Sequence, residues 1–257
     1  MNDVSPMAVP RIAPHAPSTP RTPSAPTDDK PKPMSFAILR NTHEAFRTSI
    51  RLQEQALKLG DPTHFRAEWQ AFRRALAVHV AMEDHTMFAL LDEVGAGAIT
   101  AAHLPDEHVD DERFAARVEA ALAAGNPALL YGTWAVWKDV HLRHLVHEEE
   151  IVTPLTMKTA PSPLARGRLV HERVLTPTES LPDFDWAIGW VVRRLSEFGS
   201  ASQPPHVATR VFAWGLQNAC SRSQWRRLRP IVQRNCTPAI WADMASKFGL
   251  DGEGAVA

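Results

Sequence analysis

Histidine is the residue whose placement could do chemistry. Twelve occur in the 257-residue chain, and nine of them lie between His43 and His147. Two begin the same short pattern, His79-Val80-Ala81-Met82-Glu83 and His144-Leu145-Val146-His147-Glu148. Four residues make just over one turn of an α-helix, so in each pattern the imidazole and the carboxylate share one helical face. Imidazole nitrogen and carboxylate oxygen together suit iron, manganese or zinc, so the chemistry suggested is cation binding.

Helices must bring these side chains together, and the hydrophobic spacing supplies them. Leu39, His43, Phe46 and Ile50 form one stripe at helical spacing. Gly60-Asp61-Pro62 ends that helix. A second stripe runs Phe65, Trp69, Phe72, Leu76, His79, Glu83 to about Leu91, with Gly95 and Gly97 as the next break. Leu104, His108, Asp111, Ala115, Val118 and Leu122 mark a third helix, beginning at or near Pro105. Gly125-Asn126-Pro127 closes it and opens a fourth, with Trp134, Trp137, His141, His144, Glu148, Ile151 and Leu155 on one stripe. Pro154 is expected to bend or end this helix, and Pro161 and Pro163 to stop it. Four amphipathic helices joined by short turns pack most simply as an antiparallel up-down bundle, so the fold class is all-α.

In this bundle each helix carries a histidine, His43, His79, His108 or His144, on the stripe that faces the core. Glu83 and Glu148 lie on the same stripes. A buried, unpartnered ionised carboxylate costs on the order of several kcal/mol even after relaxation, and unpartnered core imidazoles add to that. A bound cation removes the cost. Glutamates from two helices can also bridge two metals, which four-ligand structural zinc sites seldom need.

The segments NTHEAFR, HVAMEDHTMF, DEHVDDE and HLVHEEEIVTPL resemble the hemerythrin-like HHE cation-binding domain over about residues 36–158. The resemblance implies an up-down four-helix bundle around a non-haem centre of two irons. It matches His43 to the first-helix ligand, His79 and Glu83 to the second-helix pair, His108 to the third-helix histidine, and His144 and Glu148 to the fourth-helix pair. Oxygen carriers of the family have a further third-helix histidine where this chain has Leu104, which argues against plain reversible oxygen carriage. Thr153 stands where many relatives have an aromatic residue, and His141 where they have an apolar one. His141 is open to three roles: extra ligand, hydrogen-bond partner of a ligand, or core histidine.

Neighbouring polar residues receive lesser roles. Glu107 points about 100° away from His108 on a helix, toward solvent or toward another ligand. Asp84, His85, His147, Glu149 and Glu150 fall off the core line, with Glu149 able to reach the site's edge. Tyr131 precedes His144 by about 20 Å of helix, too far to ligate.

The first thirty-four residues hold nine of the 21 prolines among Ser, Thr and Ala, a composition that cannot bury enough apolar surface to order itself. We read residues 1–34 as a disordered tail, residues 35–160 as the metal-binding bundle, and residues 161–257 as a linker plus a C-terminal helical region. Residues 164–182 read as a connection, followed by helices near Phe184–Phe198, Pro205–Cys220, Ser223–Asn235 and Pro238–Phe248. Trp186, Trp190, Trp214, Trp225 and Trp241 read as packing anchors, and the arginines of 222–234 as a solvated face.

Lys plus Arg number 28 and Asp plus Glu 29, for a net charge of −1. That balance argues against partners held by bulk charge, whether nucleic acid or an anionic membrane. Cys220 and Cys236 are too few for a disulfide framework or a cysteine-rich zinc site. A cytoplasmic location is expected, with organellar import by the tail as the alternative, since Arg11 and Arg21 are present and acids are few. The primary functional expectation is a binding protein that takes oxygen or nitric oxide at its irons, for sensing, storage or detoxification. One alternative is a di-iron oxidase, peroxidase or nitric-oxide-handling enzyme fed electrons by a partner. Another is a regulatory module whose C-terminal helices bind a protein according to metal state.

Overall fold

The structure is a computed structural model describing residues 37–248. The tail expected over residues 1–34 lies outside the described residues. Twelve α-helices and two π-helical turns account for the described elements, and no strand occurs among them. The chain begins with α1 (Ala37–Lys58) and α2 (Pro62–Met82). A π-helical turn (Glu83–Met87) then leads directly into α3 (Phe88–Val94). The short α4 (Ala98–Ala101) precedes α5 (Leu104–Ala123) and the long α6 (Pro127–Thr159).

Two of the connections use the same chemistry. Gly60 and Gly125 both take φ +65°, a left-handed conformation that glycine adopts without a Cβ penalty. Asp61 and Asn126 follow, each accepting a hydrogen bond from a backbone N–H three residues on, His64 and Leu129, at 2.9 and 3.0 Å. Pro62 and Pro127 then occupy the first turn, where a missing N–H costs nothing. The sequence expectation for these two breaks matches the helix bounds.

Two expectations are corrected. Pro154 does not end α6, which continues to Thr159. Pro154 and Glu150 are both exposed, so the carbonyl that loses its helical partner can turn to water. Residues 164–182 are more than a connection: α7 (Pro163–Val170), a second π-helical turn (His171–Leu175) and α8 (Thr176–Thr178) form one run. Gly167 obscures that run in the sequence, and it is needed there. A Cβ at this position would lie 2.9 Å from the Asn218 carbonyl oxygen of the helix packed against it.

The remaining helices are α9 (Phe184–Phe198), α10 (Pro205–Ala219), α11 (Arg222–Arg234) and α12 (Pro238–Phe248). α5 packs along α6 and α1 along α2, while α6 also touches α1 and α3. α9 lies against both α1 and α2, and α10 against α1 and α7. One core therefore runs from Trp69, Trp134 and Trp137 through Phe46 to Trp190 and Phe212, each fully buried aromatic contributing about 1.5–3 kcal/mol. Glu68 of α2 and Arg194 of α9 are joined at 2.6 and 2.7 Å, and Ser49 of α1 donates to the same carboxylate at 2.5 Å.

In the arginine-rich α11, Arg227 pairs with Asp185 at 2.6 Å and with Glu179 at 3.4 Å, so this side chain serves packing as well as solvation. Cys220 and Cys236 are unpaired, and burial pushes both thiols up to about 12, which disfavours the thiolate form. Among the described residues no helix is long and apolar enough to cross a membrane.

Candidate metal centre

His43 comes from α1, His79 from α2, Glu83 from the first residue of the π-helical turn, His108 from α5, and His144 and Glu148 from α6. All six are buried or nearly so. His43 and Glu148 have no exposed side-chain surface, and His79, the most accessible, is 10% exposed. Ligand atoms of His43, His79, Glu83 and Glu148 all lie within 4.8 Å of one another.

Glu83 and Glu148 carry the contacts between one half of the cluster and the other. Glu83 Oε1 is 3.0 Å from His79 Nε2, while its Oε2 is 3.5 Å from His108 Nε2. Glu148 Oε2 is 3.2 Å from His43 Nε2 and 3.8 Å from His144 Nε2. His43 and His79 bring their Nε2 atoms to 3.2 Å of each other, and the His108 and His144 ring centroids are 4.7 Å apart.

An outer layer of carboxylates holds the ring nitrogens on the far side. Glu149 accepts from His43 Nδ1 at 2.9 Å and is itself held by Arg47 at 2.8 Å. Asp84 accepts from His108 Nδ1 at 2.9 Å. Glu107 accepts from both His144 Nδ1 and His147 Nδ1, at 2.9 and 2.8 Å. A carboxylate on Nδ1 fixes ring orientation and tautomer and leaves the Nε2 lone pair directed inward.

His141 follows the same pattern one turn earlier on α6. It is fully buried, its Nδ1 is 3.1 Å from Asp111 Oδ1, and its ring stacks on Trp137. Like His108 and His144, it stands outside the group of atoms within 4.8 Å, and its Nε2 is buried without a hydrogen-bond partner. Leu104, at the position of the absent histidine, is fully buried in the core.

The electrostatics describe a site prepared for a cation. Both oxygens of Glu83, both of Glu148, and Nε2 of His108 are buried without a hydrogen-bond partner; the short approaches to histidine lack hydrogen-bond direction. Burial and the adjacent Glu148 hold the Glu83 carboxyl well above its ordinary range. Burial pushes Glu148 the same way, but the His43 and His79 rings overcome it and draw this carboxyl down. Burial lowers His79 strongly, with neighbouring His43 adding to the effect, and burial likewise lowers His108. The neutral imidazoles of His79 and His108 and the ready carboxylate of Glu148 are the forms a metal requires, while His43, against the effect of burial, is drawn upward by Glu148 and Glu149. Five orphaned buried atoms in the cluster, each costing on the order of 1–3 kcal/mol, fit a bound cation.

Comparison with known families agrees with the geometry. Residues 34–156 match the Hemerythrin HHE cation binding domain. This segment is a hemerythrin HHE domain. The HHE match runs from α1 into α6, ending at residue 156, and includes every residue of the cluster but nothing of α7. No curated protein and no solved structure matches the chain.

The outer carboxylates are only partly legible in the sequence. Glu107 points away from His108, as its place on the helix dictates, and serves His144 on another helix. Glu149 reaches the site's edge, where it holds His43. Asp84 lies off the core line, with 38% of its side chain exposed, and still reaches His108 Nδ1. His147, likewise off the line, is a third exposed and shares Glu107.

Proposed function

We infer that the HHE domain is an antiparallel up-down bundle holding two non-haem irons, and that the centre binds oxygen or nitric oxide. His43, His79, Glu83, His108, His144 and Glu148 would hold the metals, with Glu83 and Glu148 shared between them. The carrying observation is the reach of Glu83, one oxygen at 3.0 Å from the His79 ring nitrogen and the other at 3.5 Å from that of His108. A carboxylate placed between histidines from two helices suits a pair of cations better than one. Iron bound by these residues would supply a redox-active centre able to take a diatomic ligand.

The chain's own residues orient and insulate that centre. Glu149, Asp84 and Glu107 fix three imidazoles, while Phe46, Phe72 and Trp137 close off the end of the site near His141. Anaerobic purification followed by metal analysis tests the reading. Close to two irons per chain is expected, with near-ultraviolet bands of a bridged ferric pair on air exposure. Stoichiometric zinc without iron would reject it.

A further inference from the structure

Behind His79 and Glu83 lies a cavity of about 80 Å³. One wall comes from the HHE domain, through Phe46, Val78 and Met87 together with His79 and Glu83. The other comes from beyond the family match, through Val174, Leu175, Phe184, Ala187, Val191 and Phe212. Both π-helical turns meet here: Glu83 and Met87 belong to the first, Val174 and Leu175 to the second, and the two turns touch. Helical turns of this kind are rare and concentrate at functional sites, and two converge on one void.

We propose that the C-terminal helices build this cavity as a dry reservoir for a small, uncharged, apolar molecule of diatomic size, adjoining the metal centre. The chemistry of the lining decides the class of ligand. Apart from His79 and Glu83 its polar member is Thr42, whose hydroxyl already donates to the Ile38 carbonyl at 2.8 Å. A buried water needs two to four polar partners, and the body of the cavity offers none. Ions are excluded for the same reason. The volume suits a diatomic guest, since an apolar cavity of roughly 150 Å³ is what accommodates a benzene ring.

On the side of the site, His79 keeps the largest accessible fraction among the six cluster residues and lines the void. The destination rests on the metal-centre reading, whereas the cavity does not.

Xenon is the probe, followed by 129Xe NMR on the full chain in metal-free and iron-loaded forms. A saturable site is expected in both. Ala187→Phe, which fills the void, should weaken xenon binding at least tenfold, and Val191→Ala, which enlarges it, should strengthen binding. In iron-loaded Ala187→Phe the rate of nitric oxide association should fall at least tenfold at unchanged iron content. Xenon binding unaffected by both substitutions would overturn the reservoir, and an unchanged association rate would overturn its link to the centre. A chain that takes up no iron would sink the metal reading, and with it the destination, whatever xenon does.

Discussion

The Glu83→Gln substitution keeps the shape of a side chain that is 2% exposed and removes only its capacity for charge. In metal-free protein, burial and the neighbouring Glu148 favour the protonated, neutral carboxyl at Glu83. Glutamine therefore replaces one neutral group by another. Both Glu83 oxygens already lack hydrogen-bond partners, so the amide forfeits no bond. The cost should stay within about 1 kcal/mol, roughly 2–4 °C in Tm for a domain of this size.

Metal changes the outcome. A cation present at a hundredfold its Kd stabilises the folded state by about 2.7 kcal/mol, which corresponds to roughly 5–11 °C. Glutamine cannot supply the carboxylate, so this metal-dependent rise should disappear in the variant. Scanning calorimetry of both proteins with and without ferrous iron, under anaerobic conditions, reads the difference directly. A variant that keeps the full metal-dependent rise would show that Glu83 is not a ligand. A fall of more than roughly 10 °C in the metal-free variant would show instead that its role is structural.

Further predictions concern the surroundings of the centre. Glu107→Ala leaves His144 and His147 without their acceptor and should weaken metal binding about 10–100-fold, measured by chelator competition; unchanged affinity would remove Glu107 from the site. Metal binding must expel the proton that Glu83 holds, so affinity should rise with pH up to its raised pKa and fall on acidification, release beginning above the ordinary value of 4.5. Retention independent of pH across the weakly acidic range would contradict this. Arg194→Ala strands Glu68, whose side chain is 8% exposed, and should cost about 3–5 kcal/mol in denaturant unfolding. A loss below about 1 kcal/mol would mean that the carboxylate finds water or a proton instead.

The positions of the cluster were legible because one spacing rule served two purposes. The interval that buries Phe72, Leu76 and Val118 also aims His79, Glu83 and His108 inward, so polar residues on apolar stripes stood out. Helix ends were legible wherever Gly, an Asx residue and Pro came in order, as at 60–62 and 125–127. The outer carboxylates were harder, because Glu107 acts on a histidine of a different helix and no spacing within α5 reports that. Helicity over 163–178 was hidden for a related reason. Gly167 weakens the pattern, and the second π-helical turn adds a residue to the 3.6-residue period, so Val170 and Thr178 are both buried at a spacing of eight that regular helix periodicity sets about 80° apart.

Each π-helical turn takes up one residue more than an α-helical turn needs. Each residue advances a helix by about 100°, so the same residues wound as unbroken α-helix would rotate everything beyond them by that angle. Phe88 would then leave the face of His108, and Thr178 would leave the core. Removing one residue from 84–87 or from His171–Leu175 restores an ordinary α-helix with the flanking register in place. Single-residue deletions within these turns should therefore be tolerated far better than deletions in the regular helices beside them.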